Sequence, residues 1–206
     1  LKIAIFSSYI ENMTYFFTIT LTLFFVMDAL GNIPAFLEVL KPYDQKKQIH
    51  IALRELGIAL LIMFFFHFAG EILLNLLGIS PVSVRLAAGI TLFLIAIRLI
   101  FDNDDRVTRW KEQKPFIVPI ATPMIASPSV LAIIMIFAQK IESNLVVLGA
   151  IFVAWLASSI LFMCAKPIYK LFKDSGLEAC QRLMGLIVAM IAIQLFVDGL
   201  IGALKS

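Results

Sequence analysis

Apolar and polar positions alternate along this chain in long blocks rather than with the short period of a soluble fold. Apolar blocks fall near residues 13–37, 55–77, 84–101, 117–138, 145–165 and 181–203. Each is long enough to cross roughly 30 Å of hydrocarbon as a helix. The polar stretches between them, Lys41–Arg54, Gly78–Ser83, Asp102–Phe116, Gln139–Asn144 and Lys166–Cys180, are too short to fold as separate domains. The pattern predicts an all-α polytopic membrane protein with about six transmembrane helices, forming one integral membrane domain over residues 1–206.

Composition agrees with this pattern. Of 206 residues, 61% are hydrophobic and 15% charged, which leaves too little polar surface to clothe a soluble domain. Leu1–Asn12 lacks a small-residue cleavage pattern, so the first span is expected to be retained. Cys164 and Cys180 have neither metal-site nor disulfide-framework spacing. The net charge of +3 is too small for nucleic-acid binding, and no cofactor is expected.

Placement of the basic residues carries more information than their sum. Thirteen of the 17 Lys and Arg flank or occupy the connections after the first, third and fifth blocks; Lys2, Arg85, Lys140 and Lys205 belong to the other side. The positive-inside bias therefore predicts a multi-pass protein with both termini extracytoplasmic.

The third and sixth blocks resemble each other. Gly89–Asp102 aligns without gaps on Gly185–Asp198, with six of fourteen positions identical. Pro34 and Leu37 of the first block align with Pro128 and Leu131 of the fourth. A repeat of three spans must invert, which predicts a 3+3 inverted repeat with pseudo-repeats of about 1–101 and 102–206. Such repeats are common in transporters, whose solute site lies where interrupted helices of the two halves meet.

Both interruptions are visible. The first block holds Asp28-Ala29-Leu30-Gly31-Asn32-Ile33-Pro34. A carboxylate within an apolar span costs about 2.5–3.5 kcal/mol on insertion scales, so it must face protein or water. Pro34 lacks an N–H and Gly31 is conformationally free, which predicts a broken helix around Asp28 and Asn32. The fourth block holds Pro123, Ser127, Pro128 and Ser129, where freed carbonyls and hydroxyls can meet each other or a solute. Simple capping of the second half-helix by Asp28 or Asn32 is the architectural alternative. His67 and Glu71 stand one helical turn apart, and a mutual hydrogen bond is favoured over a proton relay or half a metal site. Arg85, Arg98, Arg182, Asp102 and Asp198 read as interface anchors.

At these motifs the chain resembles the MarC family of bacterial inner-membrane proteins, related to the LysE-like exporters. That family carries an Asp-Pro-x-Gly-Asn-x-Pro motif in its first helix, and Asp28, Gly31, Asn32 and Pro34 stand in register with it. Arg85–Phe93, Arg182–Leu186 and Gln194 resemble its third- and sixth-segment patterns. Ala29 replaces the motif's first Pro, and Ser127-Pro128-Ser129 replaces a typical Gly-Pro-Gly. The resemblance implies an inner-membrane location and, by superfamily analogy, export of a small polar or amino-acid-like solute. The expected partners are membrane lipid, that unidentified solute and a coupling proton or cation. Asp28, Gly31, Asn32, Pro34, Pro123, Ser127, Pro128 and Ser129 are the expected binding residues. A non-transporting structural or regulatory membrane protein is the alternative. No catalytic motif supports an intramembrane enzyme.

Overall fold

The structure is a computed structural model that describes residues 2–101, 121–140 and 143–205; the 102–116 connection falls outside the described residues. Seven α-helices and one π-helical turn make up its regular structure among these residues. Helix α1 spans Lys2–Met27, α2 Ile33–Leu40, α3 Gln45–Leu76 and α4 Pro81–Phe101. After the π-turn Ala121–Ile125 come α5 Pro128–Lys140, α6 Asn144–Met163 and α7 Ala165–Lys205. Five of these helices are long and apolar enough to cross a membrane, and α5 adds a shorter apolar helix over Pro128–Ala138.

Local chemistry sets the boundaries. Threonines inside spans return their hydroxyls to their own helix, as in Thr20 Oγ1 donating to the Phe16 carbonyl at 2.7 Å and Thr91 to Ala87 at 2.8 Å. Pro42 stops α2, and Gln48 of α3 reaches back to donate to the carbonyls of Leu40 and Tyr43 at 3.0 and 2.8 Å. A Schellman turn at Gly78 closes α3, with the Ile79 N–H on the Leu74 carbonyl at 2.9 Å. Ser80 then caps α4, accepting from the Ser83 N–H at 3.1 Å, with Pro81 as the first helical residue.

Two expected connections are largely helical. Residues 45–54 belong to α3, leaving only 41–44 as a link, and 166–180 lie inside α7. Lys and Gln are good helix formers, so charge alone does not end a helix that leaves the hydrocarbon. Helix α7 bends at Lys173, whose φ of 53° is left-handed.

Packing interleaves the two sequence halves. Helix α1 packs on α6, α3 on α5, and α4 on α7. Helices α3 and α6 run antiparallel, because Trp155 Nε1 donates to the Leu56 carbonyl at 2.9 Å while Asn144 faces His67. Helices α4 and α7 are also antiparallel, and their backbones touch at Gly89 and Gly185. A Cβ on Gly89 would lie 2.8 Å from the Phe196 nitrogen and 3.0 Å from the Ala192 carbonyl. One on Gly185 would meet Leu99, Ile100 and the Ala96 carbonyl. Large apolar side chains such as Leu61, Phe65, Ile72, Leu183 and Met190 point outward, the surface expected of helices solvated by lipid.

Candidate functional site

The first span breaks after Met27, and five turn residues separate α1 from α2. Asp28 adopts φ 45°, a region disfavoured for most residues but tolerated by Asp and Asn. Its side chain folds back over the turn: Oδ1 accepts from the Gly31 N–H at 3.3 Å. A Cβ at Gly31 would sit 2.5 Å from Asp28 Oδ2, so only glycine lets the carboxylate lie there. Asp28 is 5% exposed and has a further interaction besides these.

Asn32 occupies the N-cap position of α2 but makes no capping bond. Its Nδ2 instead donates to the Met27 carbonyl at 3.3 Å, which α1 has left without a helical partner. The side chain thus ties the two half-helices together across the gap. Pro34 lies in the first turn of α2, where a missing N–H costs nothing. The Leu30 carbonyl, expected to be orphaned by Pro34, accepts from the Ile33 N–H at 3.2 Å. Pro34 therefore starts a helix and does not interrupt one.

The second break is built from different material. Ala121–Ile125 forms a π-turn closed by the Ala126 N–H on the Ala121 carbonyl at 2.9 Å. Pro123 lies within it, and its side chain is outside the described residues. Ser127 then caps α5, accepting from the Val130 N–H at 3.3 Å, with Pro128 as the first helical residue. Ser127 and Ser129 share a hydrogen bond of 2.8 Å between their hydroxyls. Helix α3 packs on the π-turn, and α1 on α5. Among the described residues, no hydrogen bond or ion pair joins Asp28–Pro34 to Ser127–Ser129.

Helices α3 and α6 add polar groups not anticipated from the sequence. Ser158 Oγ lies 3.4 Å from the Met27 sulfur, which sets the Asp28 turn level with the last third of α6, roughly 20 Å from its start. Ser159, next to it, has a buried hydroxyl without a partner among the described residues. Glu55 is 2% exposed; its Oε1 accepts from Arg54 Nη2 at 2.8 Å and Nε at 3.1 Å, while Oε2 is buried and has no partner among the described residues. Beside Arg54, Glu55 reads in sequence as an interfacial ion pair, and only the early start of α3 reveals its depth. The adjacent serines Ser158-Ser159 in an otherwise apolar segment are the one signal that could have marked α6.

Below the turn, a cavity of about 140 Å³ is lined by Phe36 and Leu40 of α2, Gln45, Gln48 and Ala52 of α3, and Phe162. Phe36 and Phe162, with ring centroids 4.8 Å apart, each stand one helical turn beyond a polar residue of the break, Asn32 and Ser158 respectively. His67 is 4% exposed and faces the Asn144 side chain, with no well-formed hydrogen bond on either ring nitrogen among the described residues; the side chain of Glu71, its expected partner, lies outside the described residues. Among the described residues no group of three metal-ligating side chains occurs.

Comparison with known proteins identifies the family to which the chain belongs. The MarC family, described as integral membrane proteins, matches residues 13–204. The UPF0056 inner membrane protein YhgN of Escherichia coli K12 is 40% identical over 185 residues, covering 86% of this chain and 92% of the relative. A UPF0056 membrane protein of Buchnera aphidicola from Schizaphis graminum is 39% identical over 183 residues, covering 88% and 93%. One from Chlamydia trachomatis serovar D is 34% identical over 193 residues, covering 89% and 92%. No solved structure matches. With the match running from the middle of α1 almost to the end of α7, the chain belongs to the MarC family of multi-pass integral membrane proteins.

Proposed function

We propose that this protein is an alternating-access carrier of a small polar solute in the bacterial inner membrane, with the Asp28–Asn32 turn as its binding element. One observation carries the reading: a span is broken to hold a buried carboxylate in a left-handed conformation, lying where a side chain on Gly31 would displace it. A plain helix would avoid the backbone strain of about 1–3 kcal/mol and the burial of an acid. Polar groups at membrane depth are tolerated where they line a cavity or pack in protein, and they mark ion and solute routes. Asp28 would hold a proton, a cation or the amine of the solute, and Asn32 and Ser158 would orient it. The Phe36–Phe162 pair would gate the small cavity beneath.

An inverted repeat supports the same mechanism. A shift of 96 residues takes Gly89 to Gly185, Ala96 to Ala192 and Ile100 to Phe196. The same shift exchanges the two contacts of the α4–α7 crossing, Gly89 on Ala192 and Phe196 with Gly185 on Ala96 and Ile100. The halves would rock about this crossing. The proposal includes an orientation with both termini outside; an impermeant thiol reagent should label cysteines placed at Lys2 or Lys205 and spare one at Lys47.

Exchange in proteoliposomes tests the function. Vesicles loaded with unlabelled amino acids, nucleosides and sugars are given the same compounds as tracers. Accumulation of one class, absent in Asp28→Asn, is expected; no accumulation of any class contradicts carriage.

A further inference from the structure

A second cavity, of about 760 Å³, lies between α1, α4, α5 and α7, and none of its lining residues belongs to either break. Its polar lining comprises Thr18 and Thr22 of α1, Arg85 of α4, and Gln194 and Asp198 of α7, with apolar walls that include Met190. The α4–α7 contact brings the two charges to one place. A Cβ on Gly199 would lie 3.1 Å from the Leu86 nitrogen, so the residues preceding each, Asp198 and Arg85, flank the same crossing.

Opposite charges so placed would be expected to pair, yet they do not. Among the described residues Arg85 has no ion pair or hydrogen bond, and Asp198 accepts only from Gln194 Nε2, at 2.9 Å on Oδ1. The guanidinium and carboxylate instead line a common cavity with space between them. Arg85 lies four residues from the start of α4, roughly 6 Å along the axis, and Asp198 seven residues from the end of α7, roughly 10 Å. Both depths fall at one end of the bundle, within reach of a lipid headgroup at the membrane surface. The volume is within the range of sites for sizeable ligands, roughly 300–1,000 Å³.

We infer that this cavity binds an amphiphile whose head carries an anion beside an ammonium group, the chemistry of phosphoethanolamine. Arg85 receives the phosphate through its fork of donors, Asp198 receives the ammonium through the oxygen that Gln194 leaves open, and the apolar wall takes the tail. The inference goes beyond the carrier reading and concerns binding alone. Its failure leaves the Asp28 turn untouched, and absence of transport leaves the binding measurable.

Native mass spectrometry of the purified protein tests it with three probes. These are dioleoyl phosphatidylethanolamine, dioleoyl phosphatidylglycerol with the same tails and phosphodiester but no ammonium, and free glycerophosphoethanolamine. The wild type should retain the ethanolamine lipid about tenfold over the glycerol lipid, as one charge-assisted contact allows. Asp198→Asn should erase that preference while still holding the glycerol lipid, and Arg85→Gln should weaken both about tenfold. This split is one that misfolding would not produce. Retention of glycerophosphoethanolamine would make the free headgroup the ligand; its loss, with the lipid kept, would make the bilayer the source. Equal retention of the two lipids by the wild type overturns the inference and needs no variant; so does a preference that survives Asp198→Asn.

Discussion

The two interruptions of the membrane spans look alike in sequence, each a proline with small or polar neighbours, but they solve different problems. At Ser127-Pro128 a serine caps the next helix and proline occupies its first position. Ser80-Pro81 does the same at the exposed start of α4. The second break is therefore an ordinary helix start placed at depth, preceded by a π-turn. The Asp28–Asn32 turn has no such counterpart. Its acid lies over Gly31, its amide reaches back to α1, and its backbone enters a region most residues avoid. Architecture alone explains the second break. It does not account for the buried carboxyl group of the first, which also holds a further interaction.

Substitutions can break or sharpen this contrast. Asp28→Ala should be the most damaging: it leaves the Gly31 N–H buried without its acceptor and puts alanine at positive φ, for a loss of roughly 2–4 kcal/mol. Asp28→Asn keeps the acceptor and the tolerance for that conformation, so its thermal unfolding in detergent should stay near wild type. Equal losses in the two would mean that the charge itself holds the turn. Gly31→Val comes next, at about 1–3 kcal/mol, because its side chain must displace the Asp28 carboxylate. At the second break, Ser127→Ala should cost about 1 kcal/mol, the ordinary value of a cap. The smallest effect is expected at Pro34. Pro34→Ala should change stability by less than about 1 kcal/mol, since the turn is closed upstream by bonds that do not involve it. A large gain there would mean that proline alone forces the break.

Much of the fold is legible in the chain because lipid imposes one rule, that every backbone polar group must be satisfied within the protein, most readily in a helix. Apolar length therefore locates the spans, and Asp28, Gly31 and Asn32 mark the break with its chemistry. The roles within the break are less legible. Asn32 sits where a cap belongs, yet the Met27 carbonyl is the group in need, which only the paths of α1 and α2 reveal. Pro34 reads as a breaker until the register shows it in a first turn. Glu55 is hidden by its neighbour: next to Arg54 and after a lysine-rich stretch it reads as surface charge. The helix nevertheless begins at Gln45 and carries Glu55 inward, while Arg54 remains half-exposed. Arg85 and Asp198 likewise read as separate interface anchors, and their adjacency follows only from the antiparallel α4–α7 crossing.

The central claim is that the Asp28 turn binds and the Ser127 break does not. A ligand-induced thermal-shift screen tests it most directly, run on purified wild type, Asp28→Asn and Ser127→Ala against small polar solutes and monovalent cations over a range of pH. The account predicts at least one compound that stabilises the wild type and Ser127→Ala but leaves Asp28→Asn unmoved. A panel with no stabilising compound, or one whose compounds act equally on Asp28→Asn, would contradict it.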